Sequence, residues 1–258
     1  LDLAAQNVGT RVNFQLEFNF TNFSTNAVLQ NNVIGLDPTG TVVVPNTGNG
    51  VRIDGMSGAT ILENVISGNF GSGVLLAPAT GLSDLGVRVE ANRIGVGSDG
   101  LSPLGNRGHG VEIQSTFGHQ ILGNTIAGNL LDGVNITGDP GATGQPVVLQ
   151  TNQIGLPSAP NQQNGVFLNG ARRVLIGSED PGLGNVIEYN CLNGVASANN
   201  AINNQILGNR IFGNIQGLPI DLNSDGVTSF EVAAAPTLTQ ATTAGGTTTF
   251  SGTFQGMP

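Results

Sequence analysis

Apolar positions along this chain keep a fixed distance from asparagine. At seven regularly spaced places an Asn stands two residues before an isoleucine: Asn32/Ile34, Asn64/Ile66, Asn92/Ile94, Asn124/Ile126, Asn152/Ile154, Asn185/Ile187 and Asn209/Ile211. Successive Asn residues lie 32, 28, 32, 28, 33 and 24 apart. A unit of that length cannot bury its own apolar face and must stack on its neighbours. Each unit carries two further marks. One is an aliphatic residue three before the Asn, namely Leu29, Ile61, Val89, Ile121, Leu149 and Ile206, displaced in the sixth unit by an insertion from Gly177 to Gly184. The other is a Gly followed by alternating positions: Gly50-Val51-Arg52-Ile53, Gly73-Val74-Leu75-Leu76, Gly110-Val111-Glu112-Ile113, Gly133-Val134-Asn135-Ile136 and Gly165-Val166-Phe167-Leu168. Gly194-Val195-Ala196-Ser197 and Gly217-Leu218-Pro219-Ile220 are weaker versions. Such alternation predicts a short strand with one face turned inward.

Three short strands per unit, with Gly and Asn between them, predict an all-β chain in which each unit is one coil of a parallel β-helix. About seven coils fit in residues 28–231, with equivalent positions about 4.8 Å apart and a column of roughly 30 Å. The isoleucines then stack inside, each burial contributing about 1.5–3 kcal/mol. Asn tolerates left-handed backbone at a corner, and stacked amides can bond one another, so we expect an Asn ladder up the column. The steps also show a super-repeat of 60, with long excursions from Ile34 to Val51 and from Ile94 to Val111. We expect these loops to fold over Leu62 and Leu122 of the intervening coils. A leucine-rich repeat is the rival solenoid, but Gly and β-branched residues dominate and no stretch shows an apolar period of 3.6.

At the ends the marks fade. Residues 1–27 include an alternating segment from Val12 to Phe20, a partial coil or an N-terminal cap. Residues 232–258 are rich in Ala, Thr and Gly, and Thr247 to Phe254 reads as a strand. We expect a linker with the first strand of a following β module, or a C-terminal cap. The chain opens on Leu1 without Met or a signal-peptide pattern, which suggests a piece of a longer protein.

Composition narrows the function. Only 10% of residues are charged, net charge is -9, and all eight basic residues are Arg. That balance argues against nucleic acid and against a polybasic membrane contact. No apolar run approaches the ~20 residues that span a bilayer. Gly accounts for 40 of 258 residues, yet the apolar periodicity is foreign to a disordered chain. Cys191 is the single cysteine, so no intrachain disulfide forms.

Asn-x-Ile-Gly followed by Asp37-Pro38-Thr39-Gly40-Thr41, Gly184-Asn185-Val186-Ile187, and Ile220-Asp221-Leu222-Asn223-Ser224-Asp225-Gly226 resemble the right-handed parallel β-helix repeat proteins of bacterial cell surfaces. The resemblance covers roughly residues 28–231. It implies a right-handed helix and a secreted, modular protein; some β-helix relatives are polysaccharide lyases, hydrolases or epimerases.

Candidate chemistry is sparse. Gly108-His109-Gly110 is similar to a Gly-His-Gly of polygalacturonases, but it shares register with Gly48-Asn49-Gly50 and the chain has no Lys. Around it the third coil gathers Arg88, Glu90, Arg93, Asp99, Arg107, His109 and Glu112, a set that could meet a uronic acid; Arg93, Arg107, His109 and Glu112 are the catalytic candidates. Asp37, Asp99, Asp221 and Asp225 sit in Gly-rich turns, Asp221 and Asp225 being the calcium candidates, although none matches the spaced acidic pattern of an EF-hand loop and the glycine-rich nonapeptide calcium repeat is absent. His119 reads as a surface turn residue and Cys191 as a small apolar one. The outward positions of the Gly-Val strand, Arg52, Leu75, Glu112, Asn135, Phe167, Ala196 and Pro219, form no coherent charged groove. The expected function is therefore a non-catalytic structural or adhesive module, extracellular or on a cell surface. Its expected partners are neighbouring modules of a longer chain and polysaccharide, and no cofactor is required. The alternative is a carbohydrate-active enzyme working on an acidic polysaccharide, which the negative charge disfavours.

Overall fold

The computed structural model describes residues 26–54, 58–77, 86–114, 118–138 and 144–223, and the backbone of Glu17–Phe18, Thr237–Ala244 and Thr247–Thr253. Two units divide the chain, Leu1–Ser224 and Asp225–Pro258. In the second, the strand expected near residue 247 is one arm of an antiparallel hairpin, Thr237–Ala244 against Thr247–Thr253.

The first unit is a parallel β-solenoid without helix among the described residues. Three sheets of eight, seven and seven strands run along it, and each coil adds one rung to each sheet. The first sheet holds the Gly-Val strands, from Val51–Asp54 to Ile220–Asp221, preceded by Glu17–Phe18 in parallel register with Arg52 and Ile53. The remainder of the expected Val12–Phe20 strand lies outside the described residues. The second sheet starts at Val28–Gln30 and the third at Val33–Ile34.

Register explains why the marks repeat. Ile34, Ile66, Ile94, Ile126, Ile154, Ile187 and Ile211 are successive partners in the third sheet. Leu29, Ile61, Val89, Ile121, Leu149, Ile176 and Ile206 stack likewise in the second, so Ile176 fills the place that the sixth-unit insertion had obscured. These columns meet Val51, Val74, Val111, Val134, Val166 and Val195 in one continuous core. The Gly before each of these valines is demanded by closeness. A Cβ on Gly133 would lie 2.7 Å from Ile154 Cγ2, 2.7 Å from the Gly165 carbonyl oxygen and 2.9 Å from Asn161 Nδ2.

Two amide ladders hold the corners. The expected one runs Asn32, Asn64, Asn92, Asn124, Asn152, Asn185, Asn209, each Nδ2 donating to the next Oδ1 at 2.8–3.1 Å. Each backbone N–H donates to the same oxygen, at 2.9–3.0 Å. That requirement places the left-handed residue elsewhere than expected. None of the seven Asn has positive φ; in six of the seven units the residue before it does, with Asn31, Glu63, Ala91, Gly123, Thr151 and Gly208 between 53° and 63°.

Asn46, Asn69, Asn106, Asn129, Asn161, Asn190 and Asn214 form a second ladder at the corner between the third and first sheets, with amide contacts of 2.8–3.0 Å. It was not anticipated. The long loops also differ from expectation. They leave after the third sheet, one corner beyond Leu62 and Leu122, and fold back on themselves through the bridges Leu36–Val43 and Val96–Pro103. They pack at that corner instead. A Cβ on Gly68 would meet Val43 Cγ1 at 2.9 Å, and Val96 joins Ala127 and Ala159 in a small second apolar cluster. Leu62 and Leu122 stay half-buried on the second sheet.

Candidate functional site

The third-coil residues do not share one surface. Arg88 and Glu90 belong to the second sheet and pair with each other, Nε to Oε2 at 2.6 Å and Nη2 to Oε1 at 2.8 Å. Those hydrogen bonds hold the Glu90 carboxyl below its ordinary value and raise the Arg88 guanidinium. Arg93 is an exposed residue of the third sheet. Asp99 closes its own turn, accepting from the Leu101 and Ser102 amides at 2.9 Å and from Ser102 Oγ, which lowers its carboxyl to about 2. Asp37 does the same with the Thr39 hydroxyl and the Thr41 and Val42 amides, and also titrates at about 2. Arg107 stands at the third corner with its guanidinium carbon 4.1 Å from the centre of the Phe70 ring.

Glu112 and the backbone of His109 meet at Ser72, on the first sheet, while the His109 imidazole faces Asp132 and Asn135. Ser72 Oγ donates to Glu112 Oε2 at 2.8 Å and accepts the His109 backbone N–H at 3.3 Å; Gln114 donates to Glu112 Oε1 at 2.8 Å. This belongs to a third polar column, at the position just before each Gly. Asn49 Oδ1 takes the Ser72 amide, Ser72 Oγ that of His109, and His109 Nδ1 that of Asp132. Asp132 Oδ1 takes that of Asn164, Asn164 Oδ1 that of Asn193, and Asn193 Oδ1 that of Leu218. His109 therefore does the work that Asn49 does in the first coil, as their shared register suggested.

Nε2 stands 3.2 Å from Asn135 Nδ2, and a proton on Nδ1 would face Asp132 Oδ2, 3.2 Å away. Asp132 is 1% exposed and also accepts from Asn164 Nδ2 at 2.9 Å. Both ring nitrogens of His109 are thus occupied by neighbours.

Several outward assignments change. The seventh rung of the outward column is Asp221 rather than Pro219, since Ala196 pairs with Asp221. One extra residue separates Asn214 from the first-sheet register, so Pro219 takes the place of the usual Gly; the Val195 amide donates to its carbonyl. Leu75 and Ala196 occupy outward positions yet are buried, at 4% and 0% exposure. His119 is buried as well, at 2%, because its Nδ1 accepts the Val87 amide at 3.1 Å. Cys191 is half-buried with Sγ 3.7 Å from Gln162 Oε1. Asp221 is 4% exposed, and Asn193 Nδ2 donates to its Oδ2 at 3.1 Å. Asp225 lies outside the described residues. Among the described residues, no three His, Cys, Asp or Glu side chains converge as a metal cluster would.

Stacked parallel rungs on three sides, with buried amide ladders between them, define the parallel β-solenoid class. The fold is similar to the A-module of the mannuronan C-5 epimerase AlgE6 of Azotobacter vinelandii, with a TM-score of 0.46 and 18% identity over 77% of this chain. The match spans 58% of that module's chain, and at this identity the likeness concerns the fold alone. No family model and no curated protein matches the sequence.

Proposed function

We propose that this chain is a non-catalytic structural module, a stiff spacer of a secreted or cell-surface protein whose lateral faces contact carbohydrate and whose ends join neighbouring modules. One observation carries the reading. The side chains best suited to acid–base chemistry are each engaged in holding the column: His109 and Asp132 accept backbone amides of adjoining coils, Glu112 is held by Ser72 and Gln114, and Arg88 is held by Glu90. A general base needs a free lone pair within reach of the proton it removes, and His109 has none. The three polar columns also continue without a break through the coil that holds these residues.

An enzyme acting on an acidic polysaccharide draws on a different observation, Ser72 joining Glu112 to the backbone N–H of His109 on the first sheet. The net charge of -9 weighs against a polyanionic substrate. Incubation with polymannuronate, pectate and neutral glycans separates the two. The structural reading expects no turnover, and His109→Asn should fold normally because Asn fills the same position at Asn49, Asn164 and Asn193. Turnover that disappears in Glu112→Gln, with the fold intact, would replace it with the enzyme reading.

A further inference from the structure

Exposed large apolar side chains are ordinarily scattered, so a continuous row of them points to a partner. Apart from those in the first strands of the second and third sheets and in the last coil, all such side chains among the described residues lie at one corner. They are Val42 to Val44, Phe70, Leu101, Leu130 and Leu192, between the third and first sheets. Hydrogen bonding sets the row. The residue after each Asn of the second ladder donates its N–H to the Asn carbonyl of the preceding coil, at 2.8–3.0 Å. Thr47, Phe70, Arg107, Leu130, Gln162, Cys191 and Ile215 therefore stand one above another, and Leu192 widens the row by one position. The loops that lead into Asn46, Asn106 and Asn161 stack alongside. Ser98 N–H donates to the Gly40 carbonyl at 3.0 Å, and Ser158 Oγ to the Leu101 carbonyl at 3.0 Å, so Val42 to Val44 and Leu101 border the row.

Charge singles out the same strip. The chain carries -9, yet no member of the row is acidic and Arg107 alone is basic. Its guanidinium carbon stands 4.1 Å from the centre of the Phe70 ring. Asp37 and Asp99 of the bordering loops give their carboxylates to their own turns. Two copies of an acidic chain repel wherever carboxylates face each other, and this corner is where they do not. Size agrees with such a contact. Rungs about 4.8 Å apart make the row roughly 30 Å long. With its borders, a strip about 20 Å wide covers roughly 600 Å² per copy, and about 1,200 Å² in a pair is the low end for a specific interface.

We propose that two copies of this chain pair antiparallel along this corner, with Leu130 on the twofold axis. Arg107 decides the direction. In a parallel pair each Arg107 would meet its counterpart with no carboxylate between them. In an antiparallel pair about Leu130, the middle of the row, Arg107 faces Gln162 of the other copy, Phe70 faces Cys191, and Leu130 faces itself. The pairing is independent of the spacer reading, since an enzyme module would pair equally well.

Sedimentation velocity of the full chain from about 1 to 500 μM tests it, because so small an interface should give a micromolar or weaker dimer. Leu130→Asp brings two carboxylates together on the axis and should leave a folded monomer at every concentration, the side chain being 49% exposed. Gln120→Asp, exposed on the second sheet, should pair like the native chain. In a Cys191→Ser background, Leu130→Cys should form a disulfide-linked dimer under mild oxidation and Gln120→Cys should not. A native chain that stays monomeric at the highest concentration would overturn the proposal, and so would undiminished pairing in Leu130→Asp. A monomer whose Phe70 and Leu130 NMR signals move on adding a neutral glycan would also overturn it, giving the strip to carbohydrate.

Discussion

Replacing Asn124 by Ala removes the middle rung of the first amide ladder. Its Oδ1 accepts the Asn92 backbone N–H at 2.9 Å and Asn92 Nδ2 at 3.0 Å. Its Nδ2 donates to the carbonyls of Val89 and Leu122 and to Asn152 Oδ1. The losses are unequal. Asn92 Nδ2 keeps the Ile61 and Glu90 carbonyls, and the Leu122 carbonyl keeps the Ala91 amide. The Asn92 backbone N–H is left buried with no acceptor, at a cost of about 1–3 kcal/mol. With the net loss of the remaining bonds, about 0.5–1.5 kcal/mol each where no substitute exists, the substitution should destabilise by about 3–4 kcal/mol. Asn209, at the end of the ladder and only partly buried, should cost about 1 kcal/mol under the same change. Denaturant unfolding gives both values, and amide hydrogen exchange at Asn92 isolates the orphaned group. A loss below about 0.5 kcal/mol for Asn124→Ala, or unchanged protection at Asn92, would refute the reasoning.

Three other expectations come from the same geometry. Gly133→Ala drives a methyl against Ile154, the Gly165 carbonyl and Asn161, all within 2.9 Å, and should cost about 3 kcal/mol in the same unfolding assay, at the upper end of overpacking. Ala91→Gly should stabilise by about 1 kcal/mol, because a left-handed φ of 53° strains any residue with a Cβ; a loss of stability would show the strain to be relieved some other way. Asp37 and Asp99 should titrate at about 2 by carboxyl carbon-13 NMR. Since the folded value lies below the ordinary 3.8, what they add to stability is present above that value and fades as pH falls through about 2; titration near 3.8 would mean the turn hydrogen bonds are not formed.

What the chain announces and what it hides follow from how constant each spacing is. The first ladder and the isoleucine stack are legible because two residues always separate them. The second ladder trails the isoleucine by 12, 3, 12, 3, 7, 3 and 3 residues, as loops of differing length intervene. Its steady reference is the following Gly, four residues on in six units, and that count would have found it. The column before the Gly is harder to see, because Asn, Ser, His and Asp all perform one task, accepting the next amide. The left-handed corners are masked in the same way, since Glu63, Ala91 and Thr151 occupy a conformation usually signalled by Gly or Asn. The candidate site suffered from the reverse problem. Arg88, Arg93 and Glu112 are near in sequence, but a coil distributes neighbours over three sheets. Proximity in space comes from residues about 30 apart, as with Ser72 and Glu112 at a separation of 40.

The central claim is that side-chain amides stack rung upon rung along two corners. Nuclear Overhauser spectroscopy on the Asn-labelled chain tests it most directly. Side-chain amide protons of Asn64, Asn92, Asn124 and Asn152 should exchange slowly with solvent and show contacts from each Asn to the next, and Asn69, Asn106 and Asn129 should do likewise. Rapid exchange of these groups, with contacts only to residues near in sequence, would contradict the stacked column.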